Sequence, residues 1–170
     1  AGFGIIDDEV TRVASQQEII RRYYQTLCQK RQGNADDEQI LKLELLMKQA
    51  GTTTDDRPVI SAAKIKAEAT GEPAVAIELP DGRIITGKTS ELLGASAAML
   101  LNALKVLADI DDSIQLISPT TIGPIQELKV TYLGNRNPRL HTDEVLIALS
   151  ICAATDENAR LAMQQLQNLR

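Results

Sequence analysis

One loop of this 170-residue chain collects side chains that could bind an anionic group. It runs from Asn135 to His141 and stands directly before a segment with the pattern of a helix. Guanidinium groups pair with carboxylate and phosphate oxygens, and the N–H groups at a helix N-terminus attract negative charge. We therefore predict that the polar residues of this loop bind a small anionic or nucleotide-like ligand: Asn135, Arg136, Arg139 and His141.

Two acidic residues favour a different interpretation of the same loop. Asp143 and Glu144 lie in the first turn of the predicted helix, where their carboxylates compete with an anionic ligand for the positive end of the helix dipole. In this alternative, Arg136 and Arg139 pair with these carboxylates, and the cluster is an ordinary group of surface ion pairs.

The segment Gly82–Thr89 matches the phosphate-loop pattern GxxxxGK[ST] letter for letter. Its context differs from that of a phosphate loop, because Pro80-Asp81-Gly82 predicts a hairpin turn and Arg83–Thr86 a strand. We therefore expect a strand that leads into a helix capped by Thr89 or Ser90. We also predict that Lys88 contacts the anionic ligand.

Metal and catalytic chemistry receive no support from the residue spacing. His141 stands near Asp143 and Glu144, but a single histidine provides no second nitrogen ligand, so no metal site is predicted. The sequence identifies no catalytic residue, and whether the protein is an enzyme stays open.

Composition excludes several classes of partner. Lys and Arg total 18 against 23 Asp and Glu, a net charge of −5, which disfavours binding to nucleic acid. No apolar run is long enough to span a bilayer and no signal segment opens the chain, so we expect a cytoplasmic protein that does not bind membranes. Cys28 and Cys152 fall in helical patterns and are expected to be small buried residues.

The first third of the chain has the pattern of a helical hairpin. Apolar positions at helical spacing begin at Ile6, and a second helix follows Asp36, which is expected to cap it. The second helix has an additional apolar edge made of Leu41, Leu45 and Leu46. We expect this edge to be covered by the rest of the chain, by a missing segment or by another subunit.

The remainder alternates strand and helix patterns. The expected elements are a β-hairpin near Ala74–Thr86, a buried helix within Ser90–Asp109, a strand at Ile114–Ile117, a helical stretch from Ser118 to Gly134, and helices from Asp143 and from Glu157. They predict an α/β (α+β) fold with a small mixed sheet. The expected subdomains are a helical hairpin at 1–58 and an α/β subdomain at 59–170 that is incomplete at its C-terminal end.

Five strings of the chain resemble the C-terminal half of a bacterial family catalogued as a domain of unknown function, number eighteen-forty-six. The strings are Ile5–Val10, Gln17–Tyr24, Ala74–Lys88 (AVAIELPDGRIITGK), Leu93–Leu107 (LGASAAMLLNALKVL) and Asn137–Ser150 (NPRLHTDEVLIALS). The resemblance covers essentially the whole chain.

This resemblance implies a piece of a cytosolic protein of about 500 residues with no established activity. It also implies a GSGK phosphate-type loop in an upstream half absent here, so that the match at Gly82–Thr89 is coincidental. The ligand site would then lie at the junction between this piece and the missing half. The competing hypothesis is a structural or oligomerisation module without a site of its own, which packs on that missing half or on a second copy.

Overall fold

A computed structural model of the chain describes residues 7–169, which divide between Pro58 and Val59 into two compact units. The predicted helix start at Ile6 lies outside the described residues. The helices are α1 (Asp8–Arg31), α2 (Asp37–Gln49), α3 (Pro58–Thr70), α4 (Ala95–Leu107), α5 (Pro119–Glu127), α6 (Thr142–Cys152) and α7 (Glu157–Gln164), and the strands are β1 (Ala74–Glu78) and β2 (Ile84–Lys88). Short 3-10 turns lie at Thr54–Asp56 and Gln165–Leu169.

The first unit is the predicted antiparallel helical hairpin. Asp36 caps α2, because its carboxylate accepts a hydrogen bond of 2.9 Å from the backbone N–H of Gln39. The amide of Gln16 donates to the carbonyl of Ala50 at 2.8 Å, which joins the start of α1 to the end of α2. Ile20 is fully buried between the helices.

Part of the hairpin surface is apolar and exposed. Leu41, Leu45 and Leu46 are 62%, 55% and 45% exposed, so the second apolar edge predicted for α2 is uncovered among residues 7–169. Cys28 is also exposed, and its predicted burial is wrong, because α1 buries only a narrow stripe against α2. Cys152 is buried, as predicted.

The second unit contains the predicted β-hairpin. β1 and β2 pair antiparallel, with Ala74 opposite Lys88 and Glu78 opposite Ile84. Gly82 adopts a φ of +84° in the connecting turn, a conformation that favours glycine. The segment that resembles a phosphate loop is therefore a turn and a strand, as expected.

The α+β class is confirmed, but the sheet is smaller than the predicted mixed sheet. Between residues 7 and 169 it consists of two antiparallel strands only. The predicted strand at Ile114–Ile117 is wrong: this segment is irregular and bends at Leu116 and Ile117, whose side chains are inserted into the core between helices.

Helix α4 packs across both strands and, apart from Ser96, its residues are buried or half-buried. The closest approach is at Gly87, where a Cβ atom would stand 2.1 Å from the backbone nitrogen of Met99 and 2.6 Å from the carbonyl oxygen of Ala95. Gly87 and the small residues at the start of α4 therefore let the helix and strand backbones touch.

The core of the second unit lies between α4, α5, α6 and α7. Its largest fully buried side chains are Leu104, Leu140, Val145 and Leu149. Leu140 belongs to the connection between α5 and α6, so the core itself holds the last part of the candidate loop in place. None of the helices in residues 7–169 is long and apolar enough to cross a membrane.

Candidate anion-binding loop

The candidate loop Asn135–His141 is fixed at both ends by regular structure. On one side, α5 continues into a π-helical turn at Leu128–Tyr132, and Gly134 leaves it with a φ of +70°. The N–H of Asn135 donates to the carbonyl of Lys129 at 2.9 Å. On the other side, α6 begins at Thr142, one residue before the predicted start at Asp143, and His141 is its N-cap.

Lys129 lies on the inner side of this loop and is only 4% exposed. Its Nζ donates to the carbonyl oxygen of Arg139 at 2.6 Å and to Oε2 of Glu144 at 2.8 Å. One buried cation thus joins the π-helical turn, the loop and the first turn of α6. Charge-assisted hydrogen bonds of this kind are among the stronger polar contacts in proteins.

Glu144 receives a second hydrogen bond, of 2.7 Å, from the backbone N–H of His141. Partial burial raises the pKa of the Glu144 carboxyl, but the hydrogen bonds from Lys129 and His141 and the Lys129 charge outweigh it, so the net pKa is lowered. Glu144 is therefore ionised and neutralised by Lys129. The alternative in which it pairs with an arginine of the loop is wrong.

Arg139 is turned toward another part of the second unit. Its Nε donates to the carbonyl oxygen of Ser90 at 2.6 Å, and its backbone N–H donates to Oδ1 of Asn137 at 3.1 Å. The two terminal guanidinium nitrogens have no hydrogen-bond partner within residues 7–169. The Arg139 side chain is thus held by one nitrogen and retains two donor nitrogens, with four N–H groups.

Backbone hydrogen bonds attach the same part of the loop to the connection between β2 and α4. The N–H of Leu140 donates to the carbonyl of Leu92 at 2.9 Å, and the N–H of Gly94 donates to the carbonyl of Leu140 at 3.1 Å. Ser90 accepts hydrogen bonds from the N–H groups of Leu92 and Leu93 and so closes a turn. The predicted helix cap at Thr89 or Ser90 is wrong, since Gly94 is the N-cap of α4.

The other predicted site residues lie around this junction. Lys88 ends β2 two residues before Ser90 and is exposed, and Arg136 is exposed at the outer part of the loop. Neither has a carboxylate partner in the part of the chain that the structure describes. His141 is exposed, with its Nε2 3.5 Å from Nδ2 of Asn137, and Asn135 contributes its backbone N–H to the π-helical turn.

The loop presents its cations on an open surface. The linings of three cavities of the second unit include neither Lys88 nor any residue of the Arg139–His141 segment. Among the described residues, no group of three or more His, Cys, Asp or Glu side chains is placed to hold a metal ion. The arrangement can bind an anionic group from one side.

Lys129 is the functional residue that the sequence reasoning missed. It occupies the same helical phase as Ile122 and Ile125, both of which face the core. A lysine on the apolar face of a helix needs a polar partner inside the protein, and in this structure the partner is Glu144 of the next helix. The position of Lys129 on the apolar face of its helix was the sequence signal that could have indicated a buried ion pair.

Comparisons with known proteins identify one family over almost the whole chain. The family model described as "Domain of unknown function DUF1846, N-terminal" matches residues 1–51, and the model described as "Domain of unknown function DUF1846, C-terminal" matches residues 55–170. Neither description names an activity.

Curated relatives of the chain are called UPF0371 proteins. That of Corynebacterium urealyticum is 58% identical over 168 residues, and that of Corynebacterium efficiens is 57% identical over 169 residues. A UPF0371 protein of Streptococcus pyogenes serotype M5 is 54% identical over 169 residues. Each comparison covers 99% of this chain and 34% of the relative, so the chain spans about a third of the relatives' length.

Proposed function

This chain belongs to the bacterial family of the domain of unknown function 1846, and we propose that it contributes an anion-binding loop to the family's function. The loop is Asn135–His141, and its ligand is a small molecule with a phosphate or carboxylate group. The observation that carries the proposal is the ion pair between Lys129 and Glu144, which engages the carboxylate bound to the loop's backbone and leaves Arg136 and Arg139 without a carboxylate partner among residues 7–169.

The available charge comes from Lys88, Arg136 and the terminal nitrogens of Arg139. A guanidinium anchored through Nε, as in Arg139, still offers donors for a bidentate contact with an anion. Because the anchor to Ser90 fixes the side chain, little conformational entropy is lost when an anion binds.

The rest of the ligand would be contacted by residues outside this chain. An open surface binds a small molecule weakly, since ligand sites normally enclose most of the ligand. The relatives are about three times longer than this chain, so we infer that the loop forms one wall of a site completed by another part of the longer protein. We place that protein in the cytoplasm, without nucleic acid or membrane as a partner.

A thermal-shift screen tests the ligand class. Inorganic phosphate, ADP and citrate would be added to this chain and, in parallel, to the full-length relative from Corynebacterium efficiens. A ligand that binds only the native state raises the melting temperature as its concentration increases. We expect a rise with at least one of the three in the longer protein, and absence of any rise in both proteins would contradict the proposal.

The second candidate function is self-association through the helical hairpin. The observation that favours it is the exposed apolar edge of α2, formed by Leu41, Leu45 and Leu46. Light scattering of the wild-type chain and of Leu45→Lys tests it, with Lys48→Ala as a control on the same helix. A mass that falls to the monomer in Leu45→Lys alone would support this candidate, and a monomeric wild-type chain would exclude it.

A further inference from the structure

A cavity of 210 Å³ lies within the second unit, beside α4, and the anion-binding proposal does not use it. Its walls come from α4, from the connection between β2 and α4, from residues 115–117 and from the start of α5. Most of the lining is apolar, with Leu101, Leu116 and Ile122 among the buried residues. The cavity therefore offers an apolar body a place out of water.

The volume sets the size of the ligand. An engineered protein cavity of about 150 Å³ lined by apolar residues binds benzene. At 210 Å³ this cavity holds an aromatic ring with up to roughly three further heavy atoms, or an aliphatic chain of comparable volume. Larger cofactors do not fit within it.

Asn102 provides a directional polar contact in the cavity wall. Its Nδ2 donates to the carbonyl oxygen of Thr86 at 2.9 Å, which fixes the orientation of the amide. Its Oδ1 accepts no hydrogen bond from the described residues and so keeps its capacity to accept one. Such an amide oxygen in an apolar cavity wall is suited to accept a hydrogen bond from a ligand hydroxyl.

The charges at the cavity disfavour an ionised ligand. Lys105 is the only charged residue of its lining, and its side chain is 13% exposed. Its Nζ donates to the carbonyl oxygen of Asp112 at 2.7 Å and stands 3.9 Å from Oδ1 of the same residue. An anionic ligand would have to compete with Asp112 for this ammonium group, whereas a cationic ligand would be repelled by it.

We propose that this cavity binds a small uncharged molecule with an apolar body and one hydroxyl group, whose hydroxyl donates to Oδ1 of Asn102. The proposal is independent of the anion-binding loop, because it rests on different side chains. It defines a ligand class by size, by charge and by a single hydrogen bond.

Three probes of equal ring size separate the charge requirement from simple hydrophobicity: benzyl alcohol, benzoate and benzylamine. Binding of each to the chain would be measured by ligand-observed NMR. We expect benzyl alcohol to bind and both charged probes to bind at least roughly tenfold more weakly, since their charges would lose hydration without compensation.

Variants that fill the cavity test whether benzyl alcohol binds inside it. Ala98→Leu places a leucine side chain in the cavity lining. Ser96→Leu places the same side chain on the exposed side of α4 and is the control. Gln115 lines the cavity but is exposed, so Gln115→Phe reduces the cavity volume without a change in the core. This variant replaces Ala98→Leu in the test if Ala98→Leu does not fold. We expect benzyl alcohol binding to be lost in both filling variants and kept in Ser96→Leu.

Three results would overturn this proposal. They are no binding of benzyl alcohol to the wild-type chain, unchanged binding in the folded filling variants, and tighter binding of benzoate or benzylamine than of benzyl alcohol.

Discussion

Lys129 and Glu144 form a largely buried ion pair of 2.8 Å on the inner side of a loop whose own cations face outward. The pair holds the loop from two sides, because Lys129 also binds the carbonyl of Arg139 and Glu144 also binds the N–H of His141. Glu144 is thereby paired with a lysine that does not belong to the loop, and not with an arginine of the loop.

Lys129→Met should destabilise the second unit while nearly preserving side-chain volume. The substitution leaves the Glu144 carboxylate and the Arg139 carbonyl without their donor, which costs about 2–4 kcal/mol in the free energy of unfolding. Urea denaturation measures the loss. Lys42→Met, which removes the exposed pair with Glu38 on α2, is the control and should cost less than about 0.5 kcal/mol. Equal effects of the two substitutions would show that the buried pair has no special role.

The same pair predicts how stability depends on pH. The folded chain lowers the pKa of Glu144 below 4.5, its ordinary value, so the stability gained from its ionised form is fully present above that value. This gain is lost as the pH falls through the folded pKa. Glu144→Gln should therefore lower the free energy of unfolding at pH 7, by about 1–3 kcal/mol. The difference from the wild-type chain should shrink below pH 4.5.

Denaturation curves at pH 7 and in the acid range below the ordinary Glu value test this prediction. A difference between Glu144→Gln and the wild-type chain that stays constant across the acid range would contradict it. Glu38→Gln serves as the control at pH 7, where the loss of an exposed helical pair should change the free energy by less than about 0.5 kcal/mol.

Local sequence patterns predicted the elements of this fold better than its connections. The cap at Asp36, the β-hairpin turn at Gly82 and the buried helix α4 follow from signals within a few residues. Ile114–Ile117 was mistaken for a strand because four residues rich in apolar side chains fit a strand or a buried turn equally well. Only the tertiary structure shows that Leu116 and Ile117 fill space between helices.

The candidate loop could be predicted as a set of residue types, but its geometry could not. Arg139 binds the carbonyl of Ser90, a residue 49 positions earlier in the chain. No local pattern indicates such a partner. The ion pair of Lys129 with Glu144 was also missed, since lysine is normally read as a surface residue.

Gly87→Ala should disrupt the contact between β2 and α4. Its Cβ would meet backbone atoms of Met99 and Ala95, which cannot move as a flexible side chain can. We expect a loss of about 3 kcal/mol in the free energy of unfolding, as for other overpacked cores. Gly123→Ala in α5 is the control, because its added methyl group meets no atom within 4 Å apart from the adjacent residues and the backbone of its own helix.

The two glycine variants should change stability in opposite directions. Gly123→Ala should increase it by up to about 1 kcal/mol, since alanine favours the helix more than glycine does. If Gly87→Ala is as stable as the wild-type chain, the close packing of helix on strand described above is not present in solution.

The most direct test of the proposed function is to find which residues an anion contacts. Inorganic phosphate would be titrated into the chain while backbone amide signals are followed by NMR, in the wild type, in Lys88→Ala/Arg136→Ala and in Arg31→Ala, which removes an exposed arginine from the last turn of α1. We predict shifts at the amides of residues 135–141 that weaken as salt is added, disappear in the double variant and persist in Arg31→Ala. Shifts confined to other residues, or unchanged binding in the double variant, would contradict the claim that this loop binds anions.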